Sequence, residues 1–190
     1  MMERRRALMA AKKENSPRIP STYQEVEYIG YSGSGKTLIT SITCEQLTEV
    51  VADIAKTALS GSNSGTVFPS TFVPGSSAAD TANWGTLENM SSSKFTASPV
   101  HTKEQLFDRT TISSKKGNPR STNLIGIGYN SAKFCPALRF YSFRVLNGET
   151  VLFDGVPCYR KSDSKIGMYD LISNQFVASS GTWTKGVDVT

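Results

Sequence analysis

The sequence predicts an all-β protein, a sandwich of antiparallel strands preceded by a short basic arm, and three observations carry that prediction. From Leu138 onward, stretches rich in Val, Ile, Leu, Phe and Tyr are separated by Asn147-Gly148, Ser162-Asp163-Ser164 and Ser173-Asn174, the punctuation of successive hairpins. No segment after residue 60 has the apolar period of a helix of useful length. The chain is 38% hydrophobic and 19% charged, so its polar surface draws on Ser, Thr, Asn and Gly more than on ionic residues, as is common in β-rich proteins. With 190 residues, one core plus an appendage is expected: arm and linker over residues 1–19, sandwich over residues 20–190.

Taken in order, Met1 to Asn15 consists largely of good helix formers, with Leu8 and Met9 as its main apolar content. A helix this short is marginal alone, so the arm is either disordered or becomes helical by docking on a partner. Ser16-Pro17-Arg18-Ile19-Pro20 then breaks any helix. Tyr23 to Ile29 alternates as a half-buried strand does. In Thr40 to Leu59, the residues Leu47, Val50, Val51, Ile54 and Leu59 fit one helical face, but Val50 to Ile54 also reads as a buried strand, and strand is the favoured reading. Ser60 to Ser98 reads as short strands in long loops, around Thr66-Val67-Phe68 and Phe72-Val73. Asn123 to Tyr129 and Ala137 to Leu146 read as strands apolar on both faces. Asn147-Gly148 predicts a type I′ turn that pairs Tyr141–Leu146 with Glu149–Asp154.

The formal charge of +5 is concentrated at the start, where Arg4, Arg5, Arg6, Lys12, Lys13 and Arg18 face only Glu3 and Glu14. The remainder is nearly neutral and lacks the run of basic residues interleaved with aromatics that marks a nucleic-acid face. Apolar runs fall well short of the roughly 20 residues that cross a bilayer, and the opening has no signal-peptide pattern, so neither membrane insertion nor signal-directed secretion is expected. Cys44, Cys135 and Cys158 match no zinc spacing and read as buried thiols; with His101 as the single histidine, no metal site and no cofactor are expected.

Gly30-Tyr31-Ser32-Gly33-Ser34-Gly35-Lys36-Thr37 satisfies the phosphate-loop pattern, and Val151 to Asp154 could supply an acidic strand. That site needs a parallel sheet with crossover helices, which the rest of the chain does not offer, so the favoured reading is a Gly/Ser turn between two strands with Lys36 solvated. Glu25 and Glu27 share a strand face that reads as solvated, Asp154 and Asp170 read as turn-capping carboxylates at strand ends, and His101 has no nucleophile elbow near it. An enzyme is not expected. For sugar binding, the candidates are Trp84 in a loop and Tyr129-Asn130 at a strand end, while Trp183 reads as core.

Tyr23, Val26-Glu27-Tyr28-Ile29 and the Ser/Gly turn after them, together with Val156-Pro157-Cys158, Arg160-Lys161-Ser162-Asp163, Gly167-Met168-Tyr169-Asp170 and Phe176, resemble a laminin-G-like, concanavalin-like jelly-roll domain found in tailed phages and prophages. The likeness covers both edges of the domain; residues 60–120 follow it only in being polar and short-stranded. It implies a jelly-roll β-sandwich on the virion surface, made in the bacterial host cytoplasm, with other virion proteins of capsid or tail as partners and host-surface glycans as an alternative ligand. In that setting Arg4, Arg5 and Arg6 would meet an acidic surface, with Leu8 and Met9 adding apolar contact. Self-association is compatible with such a role.

Overall fold

A computed structural model describes residues 18–32, 35–58, 68–76, 95–98, 105–129 and 137–190. These form thirteen strands in two sheets, an all-β sandwich. The strands are β1 (Tyr23–Glu25), β2 (Ile29–Tyr31), β3 (Lys36–Thr43), β4 (Glu49–Ala58), β5 (Ser70–Phe72), β6 (Phe95–Ser98), β7 (Thr110–Lys116), β8 (Leu124–Tyr129), β9 (Ala137–Asn147), β10 (Thr150–Arg160), β11 (Lys165–Asp170), β12 (Gln175–Ala178) and β13 (Thr184–Lys185). A 3-10 turn, Gln105–Phe107, drops Leu106 into the core. Val50 to Ile54 is resolved as strand, inside β4, with residues 40–43 in β3 and Leu59 outside the described residues.

The large sheet runs β12-β11-β10-β9-β4-β7-β6, and its β9 to β12 are the meander that the turn residues announce. Arg160 pairs with Lys165 and Asp170 with Gln175, leaving four-residue loops whose last members, Ser164 and Asn174, adopt positive φ. The first hairpin corrects the expected turn. Asn147 still pairs with Thr150, so Gly148 and Glu149 are the central residues and only Gly148 has positive φ, the pattern of a type II′ turn and not I′. A bulge between Val151 and Phe153 takes up the odd residue, which keeps Phe153 in the core.

Beyond that hairpin β9 and β10 diverge, and the fork between them is filled by both ends of the described chain. β1 pairs along β10, β2 along β9, and β13 lies against β2. Tyr23 to Ile29 is therefore not one strand but two, with Val26 bridged to Asp188 between them, because each half follows a different side of the fork. Hydrogen bonds from Val189 N–H to the Glu25 carbonyl (2.9 Å) and from Glu27 N–H to the Val187 carbonyl (2.9 Å) lock the seam.

The second sheet, β3-β8-β5, covers the first. Leu38, Ile125 and Ile127 project from it onto Phe140, Phe143, Val145, Val50, Ile54, Phe153 and Met168, with Tyr31 and Trp183 closing one side. Trp183 belongs to this core, its indole N–H donating to the Ser180 carbonyl at 2.8 Å. β9 has one core face only: Leu138, Phe140, Phe143 and Val145 point inward, whereas Arg139, Tyr141, Arg144 and Leu146 on the other side are half-buried, which corrects the reading of this strand as apolar on both faces. In β8 the second face carries Leu124 and two glycines, Gly126 and Gly128. A side chain at either would collide with the β3 backbone, and Gly126 also lies under the Phe72 ring.

A smaller apolar cluster sits on the outer face of β10–β12, where Ile19, Val156, Cys158 and Tyr169 are buried together with Tyr23 and Phe176 packed against them. Burial pushes the Cys158 thiol up to about 12, with a Tyr169 backbone hydrogen bond opposing and the Glu25 carboxylate adding to the rise. A thiol with a raised folded-state pKa stabilises the fold fully below its unfolded value of about 8.5, and that contribution is lost as pH rises towards the folded value. Native protein treated with iodoacetamide at pH 8.5 is therefore expected to remain unlabelled at Cys158 until denaturant is added; peptide mapping by mass spectrometry that finds rapid native labelling there would contradict the packing.

Candidate functional site

The sequence-derived candidates lie mostly outside the described residues: the anchoring set Arg4, Arg5, Arg6, Leu8 and Met9, the glycan candidates Trp84 and Asn130, and also His101 and Cys135. Of Tyr129 only the backbone is described, as the last residue of β8 opposite Lys36. The phosphate-loop match falls between strands. Gly30-Tyr31 belongs to β2 and Lys36-Thr37 opens β3, so the helix N-terminus that such a loop requires is replaced by a strand whose Thr37 exchanges two backbone hydrogen bonds with Ser180 (3.2 and 2.6 Å). Lys36 is half-buried at the strand start, not fully solvated.

Three of the four carboxylates considered for catalysis, Glu25, Asp154 and Asp170, are engaged in the scaffold. Asp170 is buried and accepts from the Asp154 N–H (2.9 Å), the Ile172 N–H (3.1 Å), and both the N–H (3.1 Å) and hydroxyl (2.5 Å) of Ser173, which fits a turn-capping role. Asp154 is not at a strand end but inside β10, paired with Arg144 at 3.2 Å. Glu25 is not simply solvated: it is ion-paired with Arg18, while Glu27 is exposed. Asp163 accepts from Arg160 (3.0 and 2.6 Å) and from the Lys165 N–H, and these contacts hold its carboxyl down to about 2. Among the described residues no group of three or more His, Cys, Asp or Glu side chains is placed to hold a metal ion.

Two features offer binding chemistry. The first is an uncharged recess of about 310 Å3 on the outer side of the small sheet. Ile39 and Leu124 give it an apolar floor, and Thr37, Ser76, Ala178 and Ser180 rim it. It forms where β12 leaves the large sheet and the chain crosses to bridge Thr37, so its walls come from both sheets.

The second is a line of side chains across the outer face of the large sheet. The Arg139 guanidinium lies over the Tyr28 ring (4.4 Å), Tyr28 meets Tyr141 edge-on (5.6 Å between centroids), Arg109 lies over Tyr141 (4.2 Å), and Arg109 ends the line in an ion pair with Asp53 (2.6 Å). Tyr141 is presented by an irregularity in β9: Asp53 pairs with Ser142 and Ile54 with Phe140, leaving Tyr141 as the extra residue while Phe140 and Phe143 both stay inward. Sequence reading did not find this line, because Tyr28, Arg109 and the Arg139-Phe140-Tyr141 stretch are far apart in the chain and meet only through sheet register.

Comparison with protein-family models, with curated proteins and with solved structures finds no match for the chain.

Proposed function

We propose that this chain is a surface protein of a bacteriophage particle, a capsid-decorating, head-fibre or tail-associated module of jelly-roll type that docks through residues 1–16 and displays the sandwich. The observation that carries this reading is the root of the arm. Arg18 is ion-paired with Glu25, Ile19 is buried in the outer cluster, and the Pro20 carbonyl accepts the Tyr23 N–H at 2.9 Å. Whatever the preceding basic residues grip is thus coupled directly to a strand inside the large sheet, as a displayed domain requires. The engagement of Asp53, Asp154, Asp163, Asp170 and Asp188 in ion pairs and turns supports a binding or display role over acid–base catalysis.

Cosedimentation with phage particles that lack the protein tests the proposal. The full chain is expected to pellet with them and a variant without residues 1–16 to remain in solution; if neither pellets, the anchoring role fails. A second reading, attachment to host-surface glycans, is favoured by the recess, whose apolar floor and hydroxyl-bearing rim suit a neutral sugar ring.

A further inference from the structure

Of the asparagines in the chain, only Asn147 precedes a glycine. Gly148 has no side chain to shield its own backbone nitrogen, and a Cβ built there would meet nothing within 4 Å. Both residues are exposed at the end of the β9–β10 hairpin, where water reaches them. The fold nevertheless holds the reactive atoms apart. Asn147 is the last residue of β9 and pairs with Thr150, and an extended asparagine directs the following nitrogen away from its own side-chain carbon. The Gly148 N–H is also occupied: it donates to Thr48 Oγ1 at 2.7 Å. That hydroxyl in turn donates to the Leu146 carbonyl at 3.3 Å. Thr48 is fixed by its own N–H on the same carbonyl (2.7 Å) and by its carbonyl on the Lys116 N–H (2.8 Å). A residue 100 positions upstream thus clamps the Gly148 nitrogen.

We propose that Asn147 is a site of spontaneous deamidation and that the Thr48 hydroxyl sets its rate by holding the attacking nitrogen. When the clamp opens and Asn147 turns out of the strand, the Gly148 nitrogen gives its proton to solvent and attacks Cγ of the Asn147 carboxamide. A C–N bond forms, the bond from Cγ to the side-chain amide nitrogen breaks, and that nitrogen leaves as ammonia, carrying an equivalent proton from solvent. The resulting succinimide takes up one water molecule at either carbonyl and opens to aspartate or isoaspartate. Reaction requires only the local opening, so its rate follows the free energy of that opening and not the global stability. The product places a new carboxylate on the turn. Isoaspartate also adds a methylene to the main chain where the two-residue loop fixes the β9–β10 register.

The test incubates the full chain at physiological pH and temperature, natively and in urea, and quantifies asparagine, aspartate and isoaspartate at residue 147 by peptide mapping. Both products are expected in the native protein, at a rate at least about tenfold below that in urea. Thr48→Val removes the acceptor and keeps the branched shape. It is expected to speed the native reaction about twofold to tenfold and to leave the rate in urea unchanged. Thr48→Ser keeps the hydroxyl and is expected to react like the parent. Both variants should melt within about 4 °C of the parent; if Thr48→Val fails to fold, Thr48→Ala takes its place. Hydrogen exchange at the Gly148 amide should accelerate in the same proportion as the deamidation. No product at residue 147 in the native protein overturns the proposal, whatever happens in urea. A native rate equal to that in urea, a Thr48→Val rate equal to the parent's, or a Thr48→Ser rate as high as that of Thr48→Val overturns it as well, because each shows that the hydroxyl holds nothing back.

Discussion

Replacing Phe143 with alanine is expected to destabilise the fold by about 3–5 kcal/mol, the largest effect of any single truncation considered. Phe143 is fully buried in the middle of β9, edge-on to Phe153 (5.6 Å) and to Phe68 (6.0 Å), and flanked by Ala52 on β4 and Gly155 on β10. Those two neighbours are small, so neither can relax into the space the ring leaves. The lost transfer energy therefore adds to the energy of a retained cavity. Urea denaturation should show a lowered midpoint with an unchanged slope; a loss under about 1 kcal/mol would mean that the two sheets close over the gap and that the packing around Phe143 is looser than described.

Asp170→Ala is expected to cost about 3 kcal/mol, through a different cause. Four hydrogen bonds converge on this buried carboxylate, three of them from backbone N–H groups that the turn and β10 cannot redirect to one another. Alanine leaves those donors without the carboxylate that now accepts from all three. Asp170→Asn keeps one carbonyl oxygen and is expected to fall between parent and alanine. Amide hydrogen exchange at Asp154, Ile172 and Ser173 should accelerate in both variants, more in alanine. If the three amides stay as protected as in the parent, the carboxylate is not what holds the turn.

What could be read from the sequence follows the range of the forces involved. The β9–β12 meander was legible because a turn is decided by a few adjacent residues: Gly148, Ser164 and Asn174, which take positive φ, are members of the three turn signals. Even there the turn type slipped by one position, since a bulge in β10 is set by packing and carries no mark in Asn147-Gly148 itself. The division of Tyr23–Ile29 was not legible, because its partners are Arg160, Phe140 and Asp188, all more than a hundred residues away. The phosphate-loop match shows the same limit in reverse: a pattern of eight residues is satisfied by a stretch that leaves one strand, β2, and opens another, β3, and only the element after Lys36 distinguishes the two. Site residues chosen by local composition, such as Trp84 and Asn130, fell in segments outside the description, whereas the line from Arg139 through Tyr28 and Tyr141 to Arg109 is brought together only by sheet register and has no local signature.

The fork between β9 and β10 also sets the order in which this protein can fold. Gly30 accepts a hydrogen bond from Thr184 and Gln24 donates one to the Val189 carbonyl, contacts that span 154 and 165 positions of chain. During synthesis, β1 and β2 wait for β9 and β10, and the seam stays open until residues 184–189 have left the ribosome. A nascent chain therefore carries an incomplete sheet with exposed strand edges until those residues emerge, and closure of the seam is a non-local step of the kind that takes milliseconds to seconds.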